Sequence, residues 1–302
     1  MSIAANVVKE LREKTNAGMM DCKKALEETK GDFEAAVEWL RKKGLASAAK
    51  KSGRVAAEGA VHAQSNGKTG VLVEINSETD FVARNDGFRT FVQDISQHAL
   101  TNPQGDILTQ NFAKTGKTVE ESLKEVIATI GENIVVRRTL RYDLQGEGLI
   151  HTYIHGEGKI GVMVEVGGPS SSADVKTFAQ DVCLHIAAMN PMALSADQMP
   201  ADVVAKEREI LKAKNLEQGK KADMVDKIVD GQIRKFLAES CLLDQAFVKN
   251  PDQKVSDYMK ETGKKAGGDV SIRRFARFEL GEGIEKKSTD FAAEVAAQMK
   301  GH

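Results

Sequence analysis

Lys68-Thr69-Gly70-Val71-Leu72-Val73-Glu74-Ile75 decides the architecture of this chain, because the chain writes it twice. It returns as Lys159-Ile160-Gly161-Val162-Met163-Val164-Glu165-Val166, an offset of 91 from Lys68 to Lys159. Thr90-Phe91-Val92-Gln93-Asp94-Ile95-Ser96-Gln97-His98 returns as Thr177-Phe178-Ala179-Gln180-Asp181-Val182-Cys183-Leu184-His185, an offset of 87 from Thr90 to Thr177. Gly131-Glu132-Asn133-Ile134-Val135-Val136-Arg137-Arg138 returns as Gly267-Gly268-Asp269-Val270-Ser271-Ile272-Arg273-Arg274, an offset of 136 from Gly131 to Gly267. The order is the same in both halves, the mark of an internal duplication.

Each half reads as a strand pair, a helix and a returning strand. Ala60-Val61-His62-Ala63 turns at Asn66-Gly67 into Val71–Ile75, a short-range hairpin signal. Leu149-Ile150-His151-Thr152-Tyr153 and Val162–Val166 repeat it. The expected sheets are small and antiparallel, with helices on one face. The recurring Arg137-Arg138 and Arg273-Arg274 are expected to be structural, pairing with carboxylates on the helices.

The offsets also show where the halves differ. Between strand and helix the first half is longer by four residues (91 against 87), where Asn76-Ser77-Glu78-Thr79-Asp80-Phe81-Val82-Ala83-Arg84-Asn85 lies. An apolar ring beside an acid, present in one copy only, reads as an added tool. The triplet recurs at Thr289-Asp290-Phe291, where helix periodicity accounts for it. Between helix and last strand the second half is longer by 49 residues (136 against 87), within Pro191–Gly263. Val203, Val204, Ile210 and Leu211, a polar turn at Asn215–Lys221, then Met224, Val225, Ile228, Val229, Ile233 and Phe236 predict an antiparallel, coiled-coil-like helical hairpin over about 202–240.

Residues 1–53 read as helical. Ile3, Val7, Val8 and Leu11 share a face, and Asn16-Ala17-Gly18 turns into a short helix from Met19 to Thr29. Asp32 is the expected N-cap of a helix carrying Phe33, Ala36, Val37 and Leu40. Three such helices make a binding module. Met19 and Met20 cannot both face inward, and an exposed methionine is an adaptable contact. Trp39 lies off the apolar stripe. The basic 41–54 segment reads as a solvated linker helix, with an RNA- or ribosome-binding contact as the alternative. Thr289–Met299 predicts a last helix bearing Phe291, Val295 and Met299 on one face.

Composition narrows the function. The 302 residues carry 43 basic and 44 acidic side chains, a formal net charge of −1, which argues against a dedicated nucleic-acid binder. No apolar run approaches a membrane span, and Met1–Asn6 lacks a basic region followed by an apolar core, so no secretory signal is expected. Cys22, Cys183 and Cys241 lie far apart and read as reduced thiols of a cytoplasmic protein. Gly156-Glu157-Gly158-Lys159-Ile160-Gly161 fits a dinucleotide pattern on paper, but a strand follows where a helix is needed, so no cofactor is expected. His98 and His185 have no ligand-spaced partners and read as structural, and neither a metal site nor a catalytic constellation is expected.

Leu11-Arg12-Glu13-Lys14-Thr15-Asn16-Ala17-Gly18-Met19-Met20-Asp21-Cys22-Lys23-Lys24-Ala25-Leu26, Glu78-Thr79-Asp80-Phe81-Val82-Ala83-Arg84 and Phe278-Glu279-Leu280-Gly281-Glu282-Gly283-Ile284-Glu285-Lys286 together closely resemble the bacterial translation elongation factor Ts family. The match runs from the first helix to the last. The start without a targeting extension looks bacterial rather than organellar. The resemblance implies an α+β protein. Its expected parts are a three-helix ubiquitin-associated-like (UBA-like) module with a basic linker (1–53), a duplicated core (54–145 and 146–283) and a C-terminal helical module (284–302). It implies a non-enzymatic guanine-nucleotide exchange factor for GDP-bound elongation factor Tu. Asp80 and Phe81 would be the wedge beside the partner's magnesium, held by Thr79 and Val82, with Met19, Met20, Phe291, Val295 and Met299 as further partner contacts.

Overall fold

The computed structural model describes residues 3–15, 17–103 and 105–285. The expected helix bearing Phe291, Val295 and Met299 lies outside the described residues. The fold class is α+β.

The chain opens with α1 (Ala5–Thr15), α2 (Met19–Glu28) and α3 (Phe33–Lys51). Val8, Leu11, Cys22, Ala25, Leu26, Ala36 and Leu40 close a small core among them. Asp32 caps α3 as its sequence position requires, its carboxylate accepting from the Ala35 N–H at 3.0 Å. The basic segment is not a solvated linker along its whole length. Gly44 approaches Ala128 so closely that a Cβ would come within 2.7 Å of the alanine methyl, and Ala48 is buried. A face of small residues lets the helix pack closely while Arg41, Lys42, Lys43 and Lys50 stay in water.

The first half continues with β1 (Glu58–Ser65), β2 (Thr69–Ser77), the single turn α4 (Asp80–Ala83), α5 (Asp86–Thr101), β3 (Asn111–Phe112), β4 (Lys117–Thr118), α6 (Val119–Ile130) and β5 (Ile134–Asp143). The sheet order is β1-β2-β5. The second half runs β6 (Gly148–His155), β7 (Ile160–Gly167), α7 (Ala173–Met189), α8 (Ala201–Glu217), α9 (Ala222–Ser240), β8 (Ala246–Phe247), β9 (Asn250–Lys254), α10 (Val255–Ala266) and β10 (Ser271–Glu279), with order β10-β7-β6. Hence each half holds a second helix, α6 or α10, and a two-stranded ribbon that the expected strand pair, helix and strand omitted. For α6 the signal is present in Thr118-Val119-Glu120-Glu121, where Thr118 Oγ1 accepts from Glu121 N and the Glu121 carboxylate accepts from Thr118 N, both at 3.1 Å, while α10 has no such side-chain cap.

The described residues divide into two compact units: those of 1–62, 73–139 and 279–302, and those of 63–72 and 140–278. Val73, Ile75, Phe88, Phe91, Ile95, Leu123 and Ile134 make the core of the first. Val164, Phe178, Val182, Ile186, Leu242, Val255 and Ile272 belong to that of the second. The two histidines are structural: His98 Nε2 meets Gln110 Oε1 at 2.8 Å, and His185 Nε2 meets Gln245 Oε1 at 2.9 Å. The cysteines are buried and form no disulfide. Within the second unit α8 and α9 form a two-helix hairpin around Val225, Val229 and Ile233, flanked by Arg208–Asp230 (2.7 Å) and Lys212–Asp226 (3.1 Å) ion pairs. Met224 and Ile210, expected on the apolar seam, face outward, and the expected turn at 215–217 is still helix.

The repeated arginine pairs hold strand carboxylates rather than the expected helix carboxylates. Glu74, fully buried on the central strand β2, accepts from Arg137 Nη1 (2.9 Å), Arg138 Nε (2.6 Å) and the Gly281 N–H (2.8 Å). Glu165 on β7 does the same with Arg273 (3.2 Å), Arg274 (2.7 Å) and the Gln145 N–H (2.8 Å). Burial by itself would raise both carboxyls. The backbone N–H and the guanidinium groups outweigh it and hold both below the usual carboxylate value. Such groups stabilise the fold above their unfolded pKa, and the contribution drains as pH falls through the lower folded value. Glu74→Gln is therefore expected to lose about 2–4 kcal/mol at pH 7, with the gap to the parent closing below about pH 4, as read from urea-unfolding midpoints across pH.

Candidate partner-binding site

The loop that follows β2 is held from both sides. Ser77 Oγ donates to the Thr79 carbonyl at 3.0 Å. The Glu78 carboxylate accepts from the Asn133 N–H at 2.6 Å and lies 3.4 Å from Arg54 Nη1. Asn133 Nδ2 in turn donates to the Arg54 carbonyl at 2.7 Å, so the last residue of the basic segment braces the loop. Thr79 is extended (φ −125°, ψ 156°) and donates twice to Glu132, from its N–H at 3.0 Å and its hydroxyl at 2.7 Å. Its side chain therefore does not cap α4.

The turn α4 then separates neighbouring side chains. Successive residues of a helical turn point about 100° apart, so burying one exposes the next. Val82 is the one that goes in, 7% exposed among the first core's residues. Phe81 stands out, 78% exposed. Asp80 is also exposed, with Arg84 as a distant partner at 4.0 Å. Downstream, the Asn85 side chain accepts from the Phe88 N–H at 3.1 Å and starts α5, and Arg89 Nε donates to the Ala83 carbonyl at 3.2 Å. An aromatic ring in water on a backbone tied at both ends leaves most of its burial free energy unrealised in this chain.

Thr79, Asp80, Phe81 and Val82 thus form one continuous structure. Met19 and Met20 form another exposed pair at the start of α2, 44% and 73% exposed. Trp39 is half-buried against the N-terminal core, with Lys43 Nζ 5.3 Å above its ring. Sequence reasoning missed Glu78, Glu132 and Asn133 as supports. Comparing the halves would have found the second, because Glu132 of Gly131-Glu132-Asn133 faces a glycine in Gly267-Gly268-Asp269. The glycine-rich 156–158 stretch is a hairpin turn between β6 and β7, with Gly156, Glu157 and Gly158 all at positive φ. Among the described residues, no group of three or more His, Cys, Asp or Glu is placed to hold a metal ion, and no helix is long and apolar enough to cross a membrane.

The sequence that builds this doubled α+β scaffold is similar to sequences of proteins of known name. A family model described as Elongation factor TS matches residues 78–282, from Glu78 beside that loop to Glu282 beyond β10. The chain is 66% identical to an elongation factor Ts of Bdellovibrio bacteriovorus, with all of both chains covered. It is 49% identical to that of Trichlorobacter lovleyi over 98% of each, and 47% identical to that of Allorhizobium ampelinum over 99% of each. The chain belongs to the elongation factor Ts family.

Because Phe81 is mostly exposed among the described residues, Phe81→Ala should leave the folding free energy within about 0.5 kcal/mol of the parent. Val82→Ala removes two buried methyl groups and should cost about 1–2 kcal/mol. Denaturant melts of the two variants side by side check the pair.

Proposed function

We propose that this protein is a cytoplasmic guanine-nucleotide exchange factor for the translation GTPase elongation factor Tu, and that it engages the GDP-bound form. Family membership supports the activity. The observation that supports the mechanism is the 78% exposure of Phe81 on a loop fixed at Thr79 and Val82.

In this reading the Thr79–Val82 turn enters the partner beside its nucleotide-bound magnesium. A P-loop GTPase holds GDP through backbone N–H groups around the phosphates and through a magnesium ion that demands near-ideal octahedral geometry. A displacement of about an ångström therefore degrades binding without any contact to the base. Phe81 supplies the driving force, since burying its ring is worth about 2 kcal/mol. Asp80 competes for the polar groups that organise the metal. Coupling is reciprocal, so a factor that loosens GDP is itself loosened by GDP, and GTP then loads according to its concentration. No covalent chemistry takes place on this chain.

The remaining parts have positioning roles. Residues 1–53 grip the partner through Met19 and Met20. The core halves 54–145 and 146–283 present the loop and a second contact, and 284–302 returns to the partner. No nucleic acid or cofactor takes part.

Mixing the protein with elongation factor Tu loaded with fluorescent GDP tests the proposal. The parent should speed release, and Phe81→Ala should slow that release roughly ten- to thirtyfold at saturating factor, the equivalent of about 2 kcal/mol. Equal rates for parent and variant would remove Phe81 from the mechanism. Met20→Glu should raise the Kd for the partner about tenfold by calorimetry while the melting temperature stays put, since it places a charge on the gripping face. Undiminished affinity would take α2 out of the interface.

A further inference from the structure

We propose that Glu132 is the positioning residue of the exchange loop: its carboxylate, in the turn between α6 and β5, presets the Thr79–Val82 turn so that Phe81 is held extended before any partner arrives. The inference rests on the exchange-factor reading above and adds the residue that makes the wedge stiff.

Three observations carry it. First, the geometry is two-pronged. Both carboxylate oxygens are used on one residue, Thr79, which donates from its N–H at 3.0 Å and from its hydroxyl at 2.7 Å. Hydrogen bonds to an ionised acceptor are the strong class, and two from one residue fix its orientation as well as its distance. Second, the bonded residue is the one immediately before the working pair Asp80 and Phe81. A lone turn of four residues is far too short to be stable by itself, so its direction is set by what holds its ends. Val82 anchors the far side in the core, and Glu132 anchors the near side. Third, the support occurs only in the copy that carries the loop. Glu132 and Gly268 occupy the same place in the repeat, after Gly131 and Gly267, which end α6 and α10 in the same left-handed conformation (φ 90° and 73°). A carboxylate serving the shared fold would have a counterpart in both halves.

The physical consequence is preorganisation. A loop free to move would lose conformational freedom on docking and would yield when pressed against the partner, and a held loop avoids both. The effect therefore belongs to the rate at saturation more than to capture of the partner, which other surfaces provide.

The test is a set of GDP-release titrations with the full chain and elongation factor Tu. Glu132→Ala should lower the saturating release rate at least threefold while the half-saturating concentration changes less than twofold. In the Phe81→Ala background the same change should cost clearly less than in the parent, because Glu132 acts through the turn that carries the ring and only Asp80 is left for it to position. Glu132→Gln keeps an oxygen acceptor and should retain most of the rate. Thr79→Val removes only the 2.7 Å bond and should fall between, which keeps the test open if Glu132→Ala fails to fold. Independently of activity, hydrogen exchange at the Thr79 amide should accelerate at least tenfold in Glu132→Ala, with the β2 amides unaffected. A slow Phe81→Ala beside a Glu132→Ala at the parent rate would overturn this inference alone, as would an undiminished Glu132→Ala loss in the Phe81→Ala background or an unchanged Thr79 amide. A Phe81→Ala at the parent rate would overturn the wedge reading itself.

Discussion

The alignment of β2 beside β5 is the constraint on which the site depends, and a buried carboxylate fixes it. Glu74 has no water to solvate it, so Arg137 and Arg138 must stand opposite. The same alignment, followed along the two strands to their ends, brings Thr79 to Glu132 and Glu78 to Asn133. A slip of one residue would turn every side chain of β2 to the wrong face and leave a buried charge unpaired. The loop is therefore aimed by an ion pair that never touches it.

That aim places Phe81 where folding alone would not leave it. A phenylalanine in water forgoes about 2 kcal/mol of burial, and the described residues leave most of this ring uncovered. The neighbouring Val82 shows the alternative, buried and unavailable. One turn of helix separates adjacent apolar residues, one stabilising this chain and the other left in water. Met19 and Met20 repeat the theme at the start of α2 with softer, more adaptable side chains.

The duplication explains how such an element is tolerated. Glu74 and Glu165, His98 and His185, and the two arginine pairs hold equivalent positions with equivalent partners, so each half has its own stabilising network. Even the backbone donors correspond, Gln145 following Arg137 at the spacing by which Gly281 follows Arg273. Against that doubled background, the loop with its Glu132 brace and the α8–α9 hairpin are additions to single copies. They alter one half without removing the interactions that hold the other.

The repeat, the hairpin turns, the N-cap at Asp32 and the place of the Thr79–Val82 turn were legible in the sequence, because each depends on residues adjacent in the chain or on a pattern written twice. The second helix of the first half is equally local, announced by the Thr118–Glu121 capping box, whereas α10 in the second half starts without a side-chain cap. Other features lay beyond reach of any local reading. Composition cannot say that Phe81 faces water while Val82 faces the core, since both are apolar and adjacent. Nor can it say that Arg137 grips a strand carboxylate rather than a helix one, or that Gly44 lies against Ala128. Those outcomes depend on contacts between residues far apart in the chain, and burial and charge pairing are settled only when the strands and helices have packed.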